Sequence, residues 1–200
     1  MKLYYLKGAC SLATYISLNE TGRQFEAFEV DRATRKASDG KELASLNAKG
    51  YVPVLVLDDG QTISENVAVL TYVAGLDPSK KLAPAGALGQ IRLIEALAFV
   101  NTELHKTVSA LFNPKTPDAY KAIVHENVPK RLALIEKTLE KTPFLLGDDF
   151  SAADAYLWVV LSWSPRIGID LTGFPKIQDF QKRVGARPSV KAALKGEGLE

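Results

Sequence analysis

The chain changes its hydrophobic pattern part-way along. Before the change, strand-like and helix-like segments alternate; after it, every periodic segment has helical spacing. Residues 2–6 (KLYYL) read as a short strand, and residues 11–20 set Leu12, Tyr15, Ile16 and Leu18 at helical intervals. Thr21-Gly22 closes that helix, glycine being suited to the left-handed position after a helix end. Residues 24–30 (QFEAFEV) predict a second strand, and residues 41–46 a short helical patch after Ser38-Asp39-Gly40. Residues 51–57 (YVPVLVL) predict an apolar strand bearing one proline. Asp58-Asp59-Gly60 signals a hairpin into a shorter strand at residues 61–63. Ser64 then caps a helix carrying Glu65, Val67, Val69, Leu70 and Val73, which ends near Gly75. That order builds a small mixed sheet with helices packed on it.

Residues 77–89 (DPSKKLAPAGALG) hold two prolines, two glycines and two adjacent lysines, and read as a linker. Beyond them Ile91, Ile94, Leu97, Leu104, Val108 and Leu111 follow helical spacing over a long segment. Thr116-Pro117 opens a further helix, with Thr116 as cap and Pro117 in the first turn, and Pro129 is expected to kink it. Residues 151–163 are apolar almost all round, as in a helix at the centre of a bundle. Ser151 and Asp154 have capping-box spacing, a structural role that leaves Asp154 out of the chemistry. Short helices at residues 180–184 and 190–194 finish an all-helical second part.

A formal net charge of +2 and the lack of any basic run give no basis for nucleic-acid binding. A single cysteine excludes an intramolecular disulfide and a cysteine zinc cluster. No segment approaches the ~20 apolar residues that span a bilayer, and the first residues lack a signal peptide's long apolar run. A cytosolic location is expected.

Four places bear on chemistry. Cys10 falls where a strand hands over to a helix N-terminus, whose unpaired N–H groups are expected to ease loss of its proton; its structural alternative is a small buried hydrophobe. Val52-Pro53 opens a buried strand, which calls for either a cis peptide bond presenting the Val52 backbone or an edge position. Ser64-Glu65-Asn66 stands at another helix start, where free N–H groups suit a carboxylate and Glu65 suits an ammonium; together they match an α-amino-acid group. The alternative there is a plain serine cap. His105 lies on the helix face shared with Leu104 and Val108, either near a site or as a satisfied, partly buried histidine, while His125 is expected to be exposed.

GACS at the first helix, VPVL, SEN at a helix start, TELHK, FSAADAYL and ARPSV, in that order over essentially the whole chain, resemble the cytosolic glutathione transferases. Cys10 in place of a tyrosine or serine makes the chain similar to the bacterial beta class. The resemblance implies a thioredoxin-like α/β N-terminal domain (residues 1–76) that holds glutathione. It also implies a linker (77–89) and an all-α helical-bundle domain (90–200) carrying the acceptor site. Cys10 and His105 would then lie beside the glutathione sulfur. Val52, before a cis Pro53, would pair with the cysteinyl backbone, Glu65 and Asn66 with the γ-glutamyl end, and Arg35 with the glycyl carboxylate. Thr102 and Glu103 would approach from a second subunit, making the site a property of a homodimer. Two positions depart from the family: Asn66 replaces a smaller residue, and Ala98 replaces an asparagine found in relatives.

The expected activity is addition of the glutathione thiolate to small hydrophobic electrophiles, a detoxification-type conjugation, with glutathione as co-substrate and no bound cofactor or metal. Cys10 would act as thiolate, as thiol donor or as disulfide partner. Two alternatives stay open: a glutathione-dependent thiol–disulfide oxidoreductase working through a Cys10 mixed disulfide, and a non-catalytic dimeric scaffold. Tyr5, Phe112 and Trp163 are either acceptor-pocket or core residues.

Overall fold

The computed structural model describes residues 1–79 and 81–200. Lys80, one of the two lysines in the stretch read as a linker, lies outside the described residues. The first part holds β1 (Lys2–Tyr5), α1 (Ser11–Thr21), β2 (Glu26–Glu29), α2 (Leu43–Leu46), β3 (Val54–Val56), β4 (Thr62–Ser64) and α3 (Asn66–Gly75). The sheet runs β2-β1-β3-β4. β1 and β2 are parallel, with Leu3 opposite Ala27, which requires a crossover, and α1 supplies it. β3 lies antiparallel to both β1 and β4 (Leu55 opposite Leu3 and Ile63), so the strand that follows Pro53 is interior.

The strands are shorter than the apolar runs. Residues 51–53 stay outside β3, since Pro53 has no N–H to give a ladder; the Val52–Pro53 peptide bond is cis. The helix expected to start on Ser64 starts one residue later. Ser64 remains paired with Val54 in β4, and Glu65 takes the cap position at φ +73.

The second part is helical: α4 (Gly86–Phe99), a π-helical turn (Val100–His105), α5 (Lys106–Ser109), a 3-10 turn (Ala110–Phe112), α6 (Asp118–Leu139), α7 (Ala152–Ser162), α8 (Ser164–Ile167), α9 (Pro175–Gly185) and α10 (Pro188–Gly196). Gly86 to Gly89, at the end of the presumed linker, already form the first turn of α4. The long helical segment expected from Ile91 to Leu111 is present, running without a gap through α4, the π turn, α5 and the 3-10 turn, but Ile91 and Ile94 point outward, at 58% and 38% exposure. Pro117 rather than Thr116 caps α6; the Thr116 hydroxyl donates to the Ala110 carbonyl instead. α6 runs on across Pro129. The two final helices are longer than their apolar patches, and α8 has no sequence signal of its own.

α7 is the axis of the helical part. Nearly every residue from Ala152 to Leu161 is buried, and its start is secured by the capping box between Ser151 and Asp154. α1 packs against α3, α7 and α10 and so joins the sheet to the bundle. Gly196 makes this possible, because a side chain there would collide with the Tyr15 hydroxyl. The junction is locked by Arg187. Its guanidinium donates twice to Glu20 (2.8 and 2.9 Å) and lies 4.1 Å over the Phe150 ring. Burial works against the Glu20 charge, yet Arg187 and Ser189 hold its carboxyl below the usual range. Arg187→Ala is expected to cost about 2 kcal/mol through the lost bidentate pair and the stranded Glu20. The lowered Glu20 value means this contribution exists above the unfolded carboxyl pKa and is lost as pH falls through the folded one. Thermal unfolding at pH 7 and pH 4 checks both: the gap between variant and wild type should shrink in acid.

Candidate active site

Cys10 is the N-cap of α1, reached from β1 through a Lys7-Gly8-Ala9 turn in which Gly8 has φ +68. The residue is half-buried, and its Sγ donates to the Val52 carbonyl at 3.6 Å. The sequence expectation of an easily lost proton is overturned. Burial pushes the Cys10 thiol up to about 12, outweighing the N–H groups of Cys10 and Ser11 that favour the thiolate, and the charges of Glu65 and Glu197 add to the rise. The helix N-terminus acts in the expected direction but is the smaller effect. Cys10 is a thiol at neutral pH.

The N-terminus of α3 comes to the same place. Asn66, buried, donates through Nδ2 to the Cys10 carbonyl (3.3 Å) and accepts from Thr14 Oγ1 through Oδ1 (3.3 Å), so its side chain is spent on tying α3 to α1. Its backbone N–H, like those of the next two residues, belongs to the unpaired first turn. Glu65 is exposed and paired with Lys49 Nζ at 2.7 Å, a partner not suggested by sequence. A non-glycine residue at φ +73 is strained by about 1–3 kcal/mol, and such strain gathers at ligand clamps. Arg35, also at positive φ (61), donates from its guanidinium to the Gly50 carbonyl and thus lies on the segment leading to Val52.

His105 reaches this region through two aromatic residues. Its Nδ1 lies 2.5 Å from the Tyr156 hydroxyl, which itself donates to Asn101 Oδ1 at 2.9 Å. With the Tyr156 proton so used, Nδ1 carries the imidazole hydrogen and Nε2 is the free acceptor. Burial first, and Lys106 second, lower His105 to about 4, so the ring is neutral at pH 7. Burial pushes the Tyr156 hydroxyl upward, and the proximity of Cys10 and Glu65 adds to it. Trp163 packs edge-on against His105 (5.1 Å between centroids) and donates Nε1–H to the Gly8 carbonyl at 3.0 Å, two residues from Cys10. Phe112 stacks edge-on against Trp163 and is 41% exposed, whereas Tyr5 is core.

Cys10, Val52 and Asn66 therefore meet directly; Glu65 and Arg35 flank them, and His105 is coupled through Tyr156 and Trp163. Thr102 and Glu103, on the π turn, face elsewhere within the chain. Thr102 is exposed and bonds the Ala98 carbonyl, and Glu103 pairs with Arg131 of α6 at 3.0 Å. Tyr156 and Asn101 escaped the sequence reading. A tyrosine in the middle of an otherwise apolar helix was the available signal, because a buried hydroxyl needs a partner. Asn101, three residues after Ala98, is the acceptor for the Tyr156 hydroxyl. His125 is exposed as expected.

Comparison with known proteins finds two family matches. Residues 9–76 match the glutathione S-transferase N-terminal domain, and residues 99–188 match the C-terminal domain. The chain is 39% identical to the glutathione S-transferase GstA of Escherichia coli O157:H7, over all of both chains. A sphingomonad glutathione S-transferase complexed with glutathione superposes over all of both chains with TM-score 0.95 at 44% identity. A bacterial beta-class glutathione S-transferase of Sphingomonas chungbukensis does so with TM-score 0.94 at 43% identity.

Proposed function

The chain belongs to the glutathione S-transferase family, and from that premise we propose that it joins the thiol of reduced glutathione to apolar electrophiles at the Cys10 site. The observation that carries this is the meeting of the Cys10 thiol with the Val52 carbonyl at the mouth of α1, with the unpaired N-terminus of α3 tied to it through Asn66. That arrangement offers a strand-like backbone edge, a carboxylate and free helix N–H groups, the three elements a γ-glutamyl peptide requires.

In this reading residues 1–76 bind glutathione, and the two family matches support that division from the helical residues 90–200. Val52, ahead of Pro53, pairs with the cysteinyl backbone. Glu65 exchanges Lys49 for the γ-glutamyl ammonium, and the Asn66 N–H takes its carboxylate. Arg35 exchanges the Gly50 carbonyl for the glycyl carboxylate. Thr102 and Glu103 act from the second subunit of a homodimer in the cytoplasm. The exposed apolar residues Leu88, Ile91 and Ile94 of α4 support an interface. The acceptor would sit near Phe112, the exposed aromatic beside Trp163 and His105.

A protonated Cys10 favours one of its three possible roles: a thiol hydrogen-bond donor to the glutathione sulfur. Two adjacent thiolates would repel, whereas a thiol beside a thiolate attracts. The glutathione thiol gives its proton to solvent; His105, lowered to about 4, lies near the sulfur as a neutral ring rather than as its base. The glutathione sulfur then forms the new bond to carbon as the leaving group departs with its electron pair.

The test is product formation from glutathione and an activated aryl chloride, followed by absorbance for wild type and Cys10→Ala. Loss of one donor is expected to slow conjugation by about tenfold or less, while reduction of a glutathione mixed disulfide, if present, disappears. Conjugation abolished in Cys10→Ala along with disulfide reduction would favour the oxidoreductase. No wild-type rate above the uncatalysed one would overturn the proposal.

A further inference from the structure

Glu197 follows α10 and is 2% exposed, although it is a carboxylate near the end of the chain. One oxygen, Oε2, accepts the Gly8 N–H at 2.7 Å. The other, Oε1, is buried with no hydrogen-bond partner among the described residues. Gly8 is held on its other side as well, its carbonyl accepting the Trp163 indole N–H at 3.0 Å. Gly8 sits at φ +68, a conformation that side-chain-bearing residues rarely adopt, two residues before Cys10. A residue held through both its N–H and its carbonyl fixes the path of the turn that delivers Cys10 to Val52. A buried carboxylate oxygen without a partner is costly and needs a reason beyond packing.

We infer that Glu197 is a positioning residue for the Cys10 turn, holding it through the Gly8 N–H while Trp163 holds the Gly8 carbonyl, and that this contact sets a carboxylate beside the turn two residues before the Cys10 thiol. The inference rests on the reading of Cys10 as a site residue. The groups facing the carboxylate are Tyr5, Lys7, Cys10 and Tyr15 from β1, the turn and α1, and Glu29 and Arg32 from β2 and the loop after it. Burial raises Glu197 to about 7; the Gly8 N–H, Lys7 and Arg32 work against that rise and Glu29 adds to it. As pH rises through neutrality, Glu197 gains its charge, and the Cys10 thiol becomes harder to ionise when ionisation would otherwise become easier. This keeps Cys10 a hydrogen-bond donor over a wider pH range.

The chain has one cysteine, so iodoacetamide alkylation reports Cys10 alone. Glu197→Gln keeps an acceptor for Gly8 and removes the charge. Its alkylation rate at pH 8 is expected to rise about threefold or more over wild type, with the rate profile displaced to lower pH. Trp163→Phe releases the Gly8 carbonyl without changing charge, and its profile midpoint should stay at the wild-type value. A Glu197→Gln profile superimposed on wild type would overturn the inference, as would an equal displacement in Trp163→Phe. Carbon NMR titration of the Glu197 carboxyl in the wild-type chain needs no variant. A midpoint below about pH 8 supports the inference, because the carboxylate is then charged where alkylation is read, and one above it overturns it. Glutathione calorimetry reads the glutathione site separately, so either proposal fails without the other.

Discussion

Replacing Asp154 by alanine is expected to cost about 3–5 kcal/mol, the largest loss from any single polar substitution considered. The carboxylate is fully buried and accepts from the Leu145 N–H (2.8 Å), the Ser151 N–H (2.9 Å) and the Ser151 hydroxyl (2.5 Å). Truncation strands three donors in the core and uncaps α7, which touches α1, α3, α4 and α9. For a chain of this size the melting temperature should fall by about 6–20 °C; a drop under about 3 °C would show that the network is dispensable. Burial raises the Asp154 carboxyl to about 6 despite its hydrogen bonds. A folded pKa above the unfolded ~3.9 means that its contribution is complete in acid and declines as pH rises through the folded value. The deficit of the alanine variant should therefore narrow between about pH 4 and pH 6, which melting curves across that range read directly.

Glu65→Gly separates binding from stability. A carboxylate holding an ammonium by a charge-assisted hydrogen bond contributes about 1.5–3 kcal/mol, so glutathione affinity should fall by about 10- to 100-fold. Stability should hold or rise. The exposed Lys49 pair is worth under about 1 kcal/mol, and glycine relieves the strain of φ +73 at this position. Lower affinity with an unchanged or higher melting temperature is the expected signature of a residue strained for ligand capture. A lower melting temperature with unchanged affinity would mark Glu65 as a structural cap.

Local features were legible from sequence: the Ser151–Asp154 box before an apolar helix, Gly22 in the left-handed position with its N–H on the Asn19 carbonyl, and the Asp58-Asp59-Gly60 hairpin. Each depends on residues within a few positions of one another. Where neighbours compete, sequence erred by a residue, as when strand pairing kept Ser64 from capping α3. The two networks around the site were not legible because they join distant segments. Tyr156 meets His105 across 51 residues, and Glu197 meets Gly8 across 189. The direction of the Cys10 shift was missed for the same reason. Helix-start N–H groups are local and visible in a sequence, whereas the burial that outweighs them comes from elements folded in from both parts of the chain.

Calorimetric titration of the purified protein with reduced glutathione tests the glutathione site most directly. Saturable binding is the predicted result, weakened by about tenfold or more in Glu65→Ala. No detectable heat at millimolar glutathione, repeated at a second temperature, would contradict it.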